Sequence, residues 1–151
     1  HGIYTPATGE IVLASGGHPP PLLRRADGQV EEVAVPSGGL LGYQDTAVHL
    51  TDSRLTLNPG DTLVLYTDGF IEARSPDDHE LFGLERLRAA LGGAGTYLSL
   101  EDCAERAKAA VHEFTGKPEL QDDLTLLLLR RVSGGSEPSK PMSTRAGDIE
   151  C

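Results

Sequence analysis

Cysteine is nearly absent from this 151-residue chain, with Cys103 and Cys151 the whole supply. Two thiols so placed offer neither a zinc-binding spacing nor a disulfide framework, so a reducing, cytoplasmic setting is the expectation. Cys103 lies within a predicted helix and reads as a small buried residue rather than a redox thiol. Methionine occurs once, at Met142, so a chain beginning at His1 carries no initiator of its own and reads as a fragment or processed piece. Cations are scarce as well. Lys and Arg number 13 against 23 Asp and Glu, a formal net charge of −10. Such a surface repels the phosphate backbone of nucleic acid and disfavours anionic membranes, whereas acid clustered in a cleft attracts divalent cations. Long apolar runs are missing too: nothing approaches the roughly 18 residues of a membrane span, and no basic segment leads into an apolar one as in a signal peptide. Neither nucleic acid nor direct membrane contact is expected of this segment.

With 38% hydrophobic residues, the chain can build one domain with a real core but not two ordinary ones. Its first half is punctuated by turn chemistry. Gly2 to Thr5 and Glu10 to Ala14 read as strands joined through Pro6-Ala7-Thr8-Gly9. Leu22 to Arg25 and Gln29 to Val35 flank Asp27-Gly28, a dipeptide suited to a tight hairpin. Pro36 to Gly42 is Gly-rich loop, and Val48 to Leu57 alternates apolar and polar residues. Asn58-Pro59-Gly60-Asp61 then turns into Thr62-Leu63-Val64-Leu65-Tyr66, whose apolar run predicts a central strand covered on both faces.

Helical spacing takes over in the second half. Leu84, Leu87, Arg88 and Leu91 share a face, with Gly92-Gly93 as the stop. Ser99 and Asp102 form a capping-box pattern ahead of a stripe of Leu100, Cys103, Ala104, Ala107, Val111 and Phe114, ending at Gly116. Leu124 to Val132 returns to strand composition, and the Ser-, Gly- and Pro-rich residues 133–151 have almost nothing to bury and read as a disordered tail. Strands first and helices later, without strict alternation, predict an α+β fold: antiparallel sheets with helices on an outer face.

Candidate chemistry sits at two strand ends. Asp68-Gly69 follows the apolar strand, where a carboxylate reaches the surface and the glycine permits close backbone approach. Asp122-Asp123 precedes the last strand; on an extended chain, adjacent side chains point to opposite faces, so one aspartate at most enters a given site. Taken alone, each motif reads first as a common turn or a solvated loop, and only convergence in space changes that reading. His18, held ahead of three prolines, either shapes its loop through backbone hydrogen bonds or donates a proton, the first being favoured. His1, His49, His79 and His112 show no metal-ligand spacing, and Gly92-Gly93-Ala94-Gly95 follows a helix where a phosphate-binding loop would open one.

Taken in order, four segments resemble the SpoIIE-like branch of the metal-dependent protein phosphatase (PPM) family: Ala14 to Leu23, Asn58 to Gly69, Glu80-Leu81-Phe82-Gly83, and Asp122 to Leu126. The resemblance runs from His1 to about Val132, and the second and fourth segments are specific. It implies an antiparallel β-sandwich flanked by helices, with residues 1–132 forming the C-terminal part of a phosphatase domain. It further implies a binuclear Mn²⁺ or Mg²⁺ centre with Asp68 and Asp122 as ligands, Asp123 standing behind them. The implied chemistry is attack of a metal-activated water on phosphoserine or phosphothreonine of a regulatory protein, such as an anti-sigma-factor antagonist, without a phosphoenzyme. Two departures stand out. Ser15-Gly16-Gly17-His18 occupies the place where many relatives have Asn-Ala-Gly-His, and the family's N-terminal Asp-Val-x-Gly-His-Gly-like segment, with its metal ligands and first strands, is absent. The piece alone is therefore expected to have little or no activity. The competing expectation is a non-catalytic regulatory or phosphoprotein-binding module on the same scaffold.

Overall fold

A computed structural model describes residues 1–39, 50–93, 97–116 and 122–133. Seven strands and three helices are present among them: β1 (Gly2–Thr5), β2 (Glu10–Leu13), β3 (Leu22–Arg24), β4 (Val30–Glu32), β5 (Ser53–Thr56), β6 (Thr62–Tyr66), α1 (Asp68–Glu72), α2 (Gly83–Leu91), α3 (Leu100–Thr115) and β7 (Leu126–Arg130). The strands form two antiparallel sheets, one ordered β1-β2-β5 and the other β4-β3-β6-β7.

Turn residues set the register of each hairpin. Gly9, at φ 80°, closes β1 onto β2 by donating its N–H to the Thr5 carbonyl at 2.8 Å. At the second hairpin the Asp27 carboxylate accepts the Gln29 N–H at 2.9 Å while Gly28 turns with φ 91°. The strands are shorter than the composition suggests. β4 stops at Glu32, and β5 starts only at Ser53. The expected strand residues 48–49, loop residues 40–42 and tail residues 134–151 lie outside the described residues.

Alternation along β6 builds a three-layer molecule. Leu63 and Leu65 point toward the other sheet, where they pack with Ile11, Leu13 and Leu57, alongside Leu23 of the neighbouring β3. Val64 and Tyr66 point the opposite way, into a cluster with Leu22, Phe70, Phe82, Leu87, Leu91, Cys103, Ala107 and Val111. The central strand is thus covered on both faces, as its unbroken apolar run demands. Each fully buried Leu, Val or Phe contributes about 1.5–3 kcal/mol, so the two clusters fix the layer order. Cys103 is buried against the sheet, as expected of a small core residue.

Arginines bind the helical layer to the sheet through main-chain carbonyls. Arg24 of β3, only 2% exposed, donates Nε–H to the Leu91 carbonyl at 2.9 Å and so caps the last turn of α2. Arg88 of α2 donates to Val30 of β4. From β7, Arg130 donates to the Leu98 carbonyl at 2.6 Å and to the Thr62 hydroxyl at 2.8 Å. The capping box of α3 forms as its sequence predicts: the Asp102 N–H donates to the Ser99 hydroxyl at 2.9 Å, and the Ser99 N–H to the Asp102 carboxylate at 3.2 Å. Gly116 ends the helix in the left-handed region.

Candidate metal centre

β6 and β7 are adjacent antiparallel strands, paired from Thr62↔Arg130 to Tyr66↔Leu126. The C-terminal end of β6 and the N-terminal approach to β7 therefore lie at the same sheet edge. Past Tyr66 the pairing continues one residue further, with the Thr67 N–H donating to the Thr125 carbonyl at 3.1 Å. The Thr67 hydroxyl then does what neither strand can do alone. It donates to the Asp123 carbonyl at 3.0 Å and accepts the Thr125 N–H at 3.0 Å. Thr67 is the N-cap residue of α1 by position, yet it makes no side-chain capping bond because its hydroxyl is committed to this neighbouring segment.

This lacing brings the two aspartate motifs together. A Cβ added to Gly69 would stand 2.7 Å from the Asp123 carbonyl oxygen and 3.5 Å from the Asp122 Cβ. Only a residue without a side chain permits that approach. Asp68, Asp122 and Asp123 are all exposed, so their carboxylates stay hydrated at the edge. The Asp68 carboxylate accepts the Gly69 N–H at 3.1 Å, and the Asp122 carboxylate accepts the Asp123 N–H at 2.8 Å. The strand-based expectation for Asp122 and Asp123 changes here. β7 begins only at Leu126, so both aspartates belong to an irregular lead-in governed by hydrogen bonds to Thr67 rather than by strand alternation.

Exposed carboxylates are suitable donors for a hard divalent cation, so the donor type fits Mn²⁺ or Mg²⁺. Their number is small. Among the described residues, no group of three or more His, Cys, Asp or Glu side chains is placed to hold a metal ion. His18 lies elsewhere, lining a cavity between the two sheets, and its Nδ1 is 2.9 Å from the Pro19 carbonyl, in keeping with the loop-shaping alternative.

Two features escaped the sequence reading. One is α1, which starts at Asp68 where a plain turn was expected; five residues are too few for periodicity to register. The other is a pocket of about 530 Å³ beside Asp122 and Asp123, lined by Phe70 of α1 and by Ala104, Glu105, Lys108 and His112 of α3. Ala104, Lys108 and His112 recur every four residues, a signal of a shared helix face that was legible but unread.

Two antiparallel sheets with a helical layer and paired aspartates at one edge define a PP2C-like phosphatase fold. The family model described as "Stage II sporulation protein E (SpoIIE)" matches residues 1–132, and the chain belongs to that family of PPM-type phosphatase domains. Protein IcfG of Synechocystis is 31% identical over 90 residues, which is 60% of this chain and 14% of that protein. The RsbU and RsbW domains of Rv1364c from Mycobacterium tuberculosis superpose with a TM-score of 0.62 at 26% identity, covering 87% of this chain and 35% of that one. The manganese-presoaked phosphatase domain of the cell-fate determinant SpoIIE from Bacillus subtilis gives a TM-score of 0.66 at 19% identity, covering 91% and 57%. The chain thus spans a small part of IcfG and between about a third and three fifths of these two solved chains. No helix among the described residues is long and apolar enough to cross a membrane.

Proposed function

We propose that residues 1–132 are the C-terminal part of a metal-dependent serine/threonine phosphatase domain that acts in the cytoplasm on a phosphorylated regulatory protein, such as an anti-sigma-factor antagonist. The observation that carries this reading is the approach of Asp68-Gly69 to Asp122-Asp123 at the ends of two paired strands. In it, Asp68 and Asp122 hold Mn²⁺ or Mg²⁺, Asp123 supports them, and Thr67 and Gly69 keep the two segments in register. When bound, such ions supply Lewis acidity to the phosphate ester and to the attacking water. Two carboxylates leave most of a six-oxygen shell to be filled, so full activity requires acids from a segment upstream of His1. The cavity of about 320 Å³ between the sheets, lined by Ile11, Leu13, Leu63, Leu65, Leu127 and Leu129, supports the same reading, because further strands would cover it.

A second reading, a non-catalytic phosphoprotein-binding module on the same scaffold, is favoured by the shortage of ligands among the described residues. Calorimetric titration with Mn²⁺ separates the two. It would be run on this chain, on an Asp68→Asn, Asp122→Asn double variant, and on a polypeptide extended upstream. Metal binding lost in the double variant, with phosphatase activity in the extended polypeptide, is the expected result. No binding in either length would remove the phosphatase reading and leave the binding module.

A further inference from the structure

The pocket beside Asp122 and Asp123 has an apolar floor and a charged rim. Phe70, Ala104, Leu124 and Leu126 supply the apolar lining, with Phe70 buried and the two leucines, like His112 beside them, half-buried. Glu105 and Lys108 stand at the rim as an exposed pair 4.0 Å apart. Its volume of about 530 Å³ falls within the roughly 300–1,000 Å³ of sites that enclose small ligands or side chains. Asp122 and Asp123 belong at once to this wall and to the edge that Asp68 and Gly69 share.

We propose that this pocket receives an apolar side chain of the phosphoprotein substrate, at a residue flanking the phosphorylated one. The proposal rests on the phosphatase reading above. A peptide whose phosphate is held at the Asp68–Asp122 edge has the pocket beside it, because the two share Asp122 and Asp123. The floor rewards an apolar side chain, since burying it there removes both surfaces from water. The rim suits the polar backbone on either side, which Lys108 and Glu105 can hydrogen-bond. Residues of α3 would then select the substrate while taking no part in the chemistry.

Two phosphoserine peptides, identical except for leucine or serine on both sides of the phosphoserine, test the idea. Binding would be read by fluorescence anisotropy in the presence of Mn²⁺, using the polypeptide extended upstream and peptides whose phosphoserine is in its non-hydrolysable phosphonate form. The leucine-flanked peptide is expected to bind about tenfold more tightly. Ala104→Phe, which fills the pocket from α3, should bring the two peptides to parity without lowering the melting temperature. Equal affinity in the wild-type protein overturns the proposal without recourse to any variant. So does a leucine preference that survives in folded Ala104→Phe protein. Hydrolysis of p-nitrophenyl phosphate, which is too small to use the pocket, reports separately on the phosphatase reading. A leucine preference without that hydrolysis counts against the phosphatase and leaves the pocket standing; hydrolysis without the preference does the reverse.

Discussion

Gly69 and Asp123 are in contact through backbone alone, for any Cβ on Gly69 would lie 2.7 Å from the Asp123 carbonyl oxygen. No real Cβ tolerates that distance to an oxygen, so the segment carrying Asp122 and Asp123 would have to withdraw. Gly69→Ala should destabilise the domain by about 1–3 kcal/mol, the usual cost of overpacking. It should also weaken Mn²⁺ binding by more than the stability loss accounts for. Denaturant melts beside a calorimetric titration check both, and a variant that melts and titrates like the wild type would show that the approach is not needed.

Thr67 supplies the other half of that approach. Its hydroxyl is shared between the Asp123 carbonyl and the Thr125 N–H. Thr67→Val keeps the shape and removes both bonds, at an expected cost of about 1 kcal/mol with water able to replace part of them. The signature is local: faster amide exchange at Thr125, with exchange at Leu63 and Val64 unchanged. Uniform exchange would assign Thr67 no positioning role.

Much of this arrangement was legible before the structure. The apolar run from Thr62 to Tyr66 announced a doubly covered strand, and its end is where Asp68 stands. Ser99 and Asp102 announced the start of α3, because a capping box is a local device readable over four residues. What could not be read was anything decided between distant segments. Nothing near Thr67 in the chain reveals that Asp123, 56 residues away, takes its hydroxyl. Likewise, no neighbour of Arg24 in sequence shows that it is buried beneath the end of α2.

Asp61 holds the turn that feeds β6. Its side chain is 3% exposed; one oxygen accepts the Ala26 N–H at 3.0 Å, and the other accepts the Asn58 N–H and an Arg25 guanidinium N–H, each at 3.0 Å. Asp61→Ala removes the acceptor of three part-buried donors and should cost about 1–3 kcal/mol. Arg25 is half-exposed and pairs with Glu31 as well, and Arg25→Ala leaves Asp61 both of its main-chain amide donors, so it should cost clearly less. Urea unfolding of the two variants gives the ordering, and a reversal would place the stabilising weight on the ion pair rather than on the turn amides.

Acid should loosen α3 before the core. The Ser99 hydroxyl, and then the Ser99 N–H, hold the Asp102 carboxyl below its ordinary value of 3.8. A depressed folded-state value stabilises above the unfolded one and is lost as pH falls through the folded one, so the loss is confined to the region below about pH 4. Ser99→Ala should lower stability at neutral pH and flatten the acid dependence, the gap between the two proteins narrowing at low pH to what the bond from the Asp102 N–H to the Ser99 hydroxyl contributes. Helical circular dichroism followed against pH tests this, and parallel curves would show that the cap does not titrate with Asp102.

Leu127 is 54% exposed on β7 while lining the cavity of about 320 Å³ between the sheets. An apolar side chain left half in water beside an apolar cavity attracts hydrophobic dyes and neighbouring chains. If sequence upstream of His1 supplies the covering strands, the dye 8-anilinonaphthalene-1-sulfonate should fluoresce strongly with the 151-residue chain and several-fold less with the extended polypeptide. Leu127→Lys then separates the cases. In the short chain the charge meets water, lowers dye binding and costs little stability. In the extended polypeptide the same lysine must be buried beneath the added strands, and the variant should lose about 2–4 kcal/mol. Equal cost in both lengths would mean that the upstream segment leaves this face uncovered, and the C-terminal-part reading of residues 1–132 would lose its structural support.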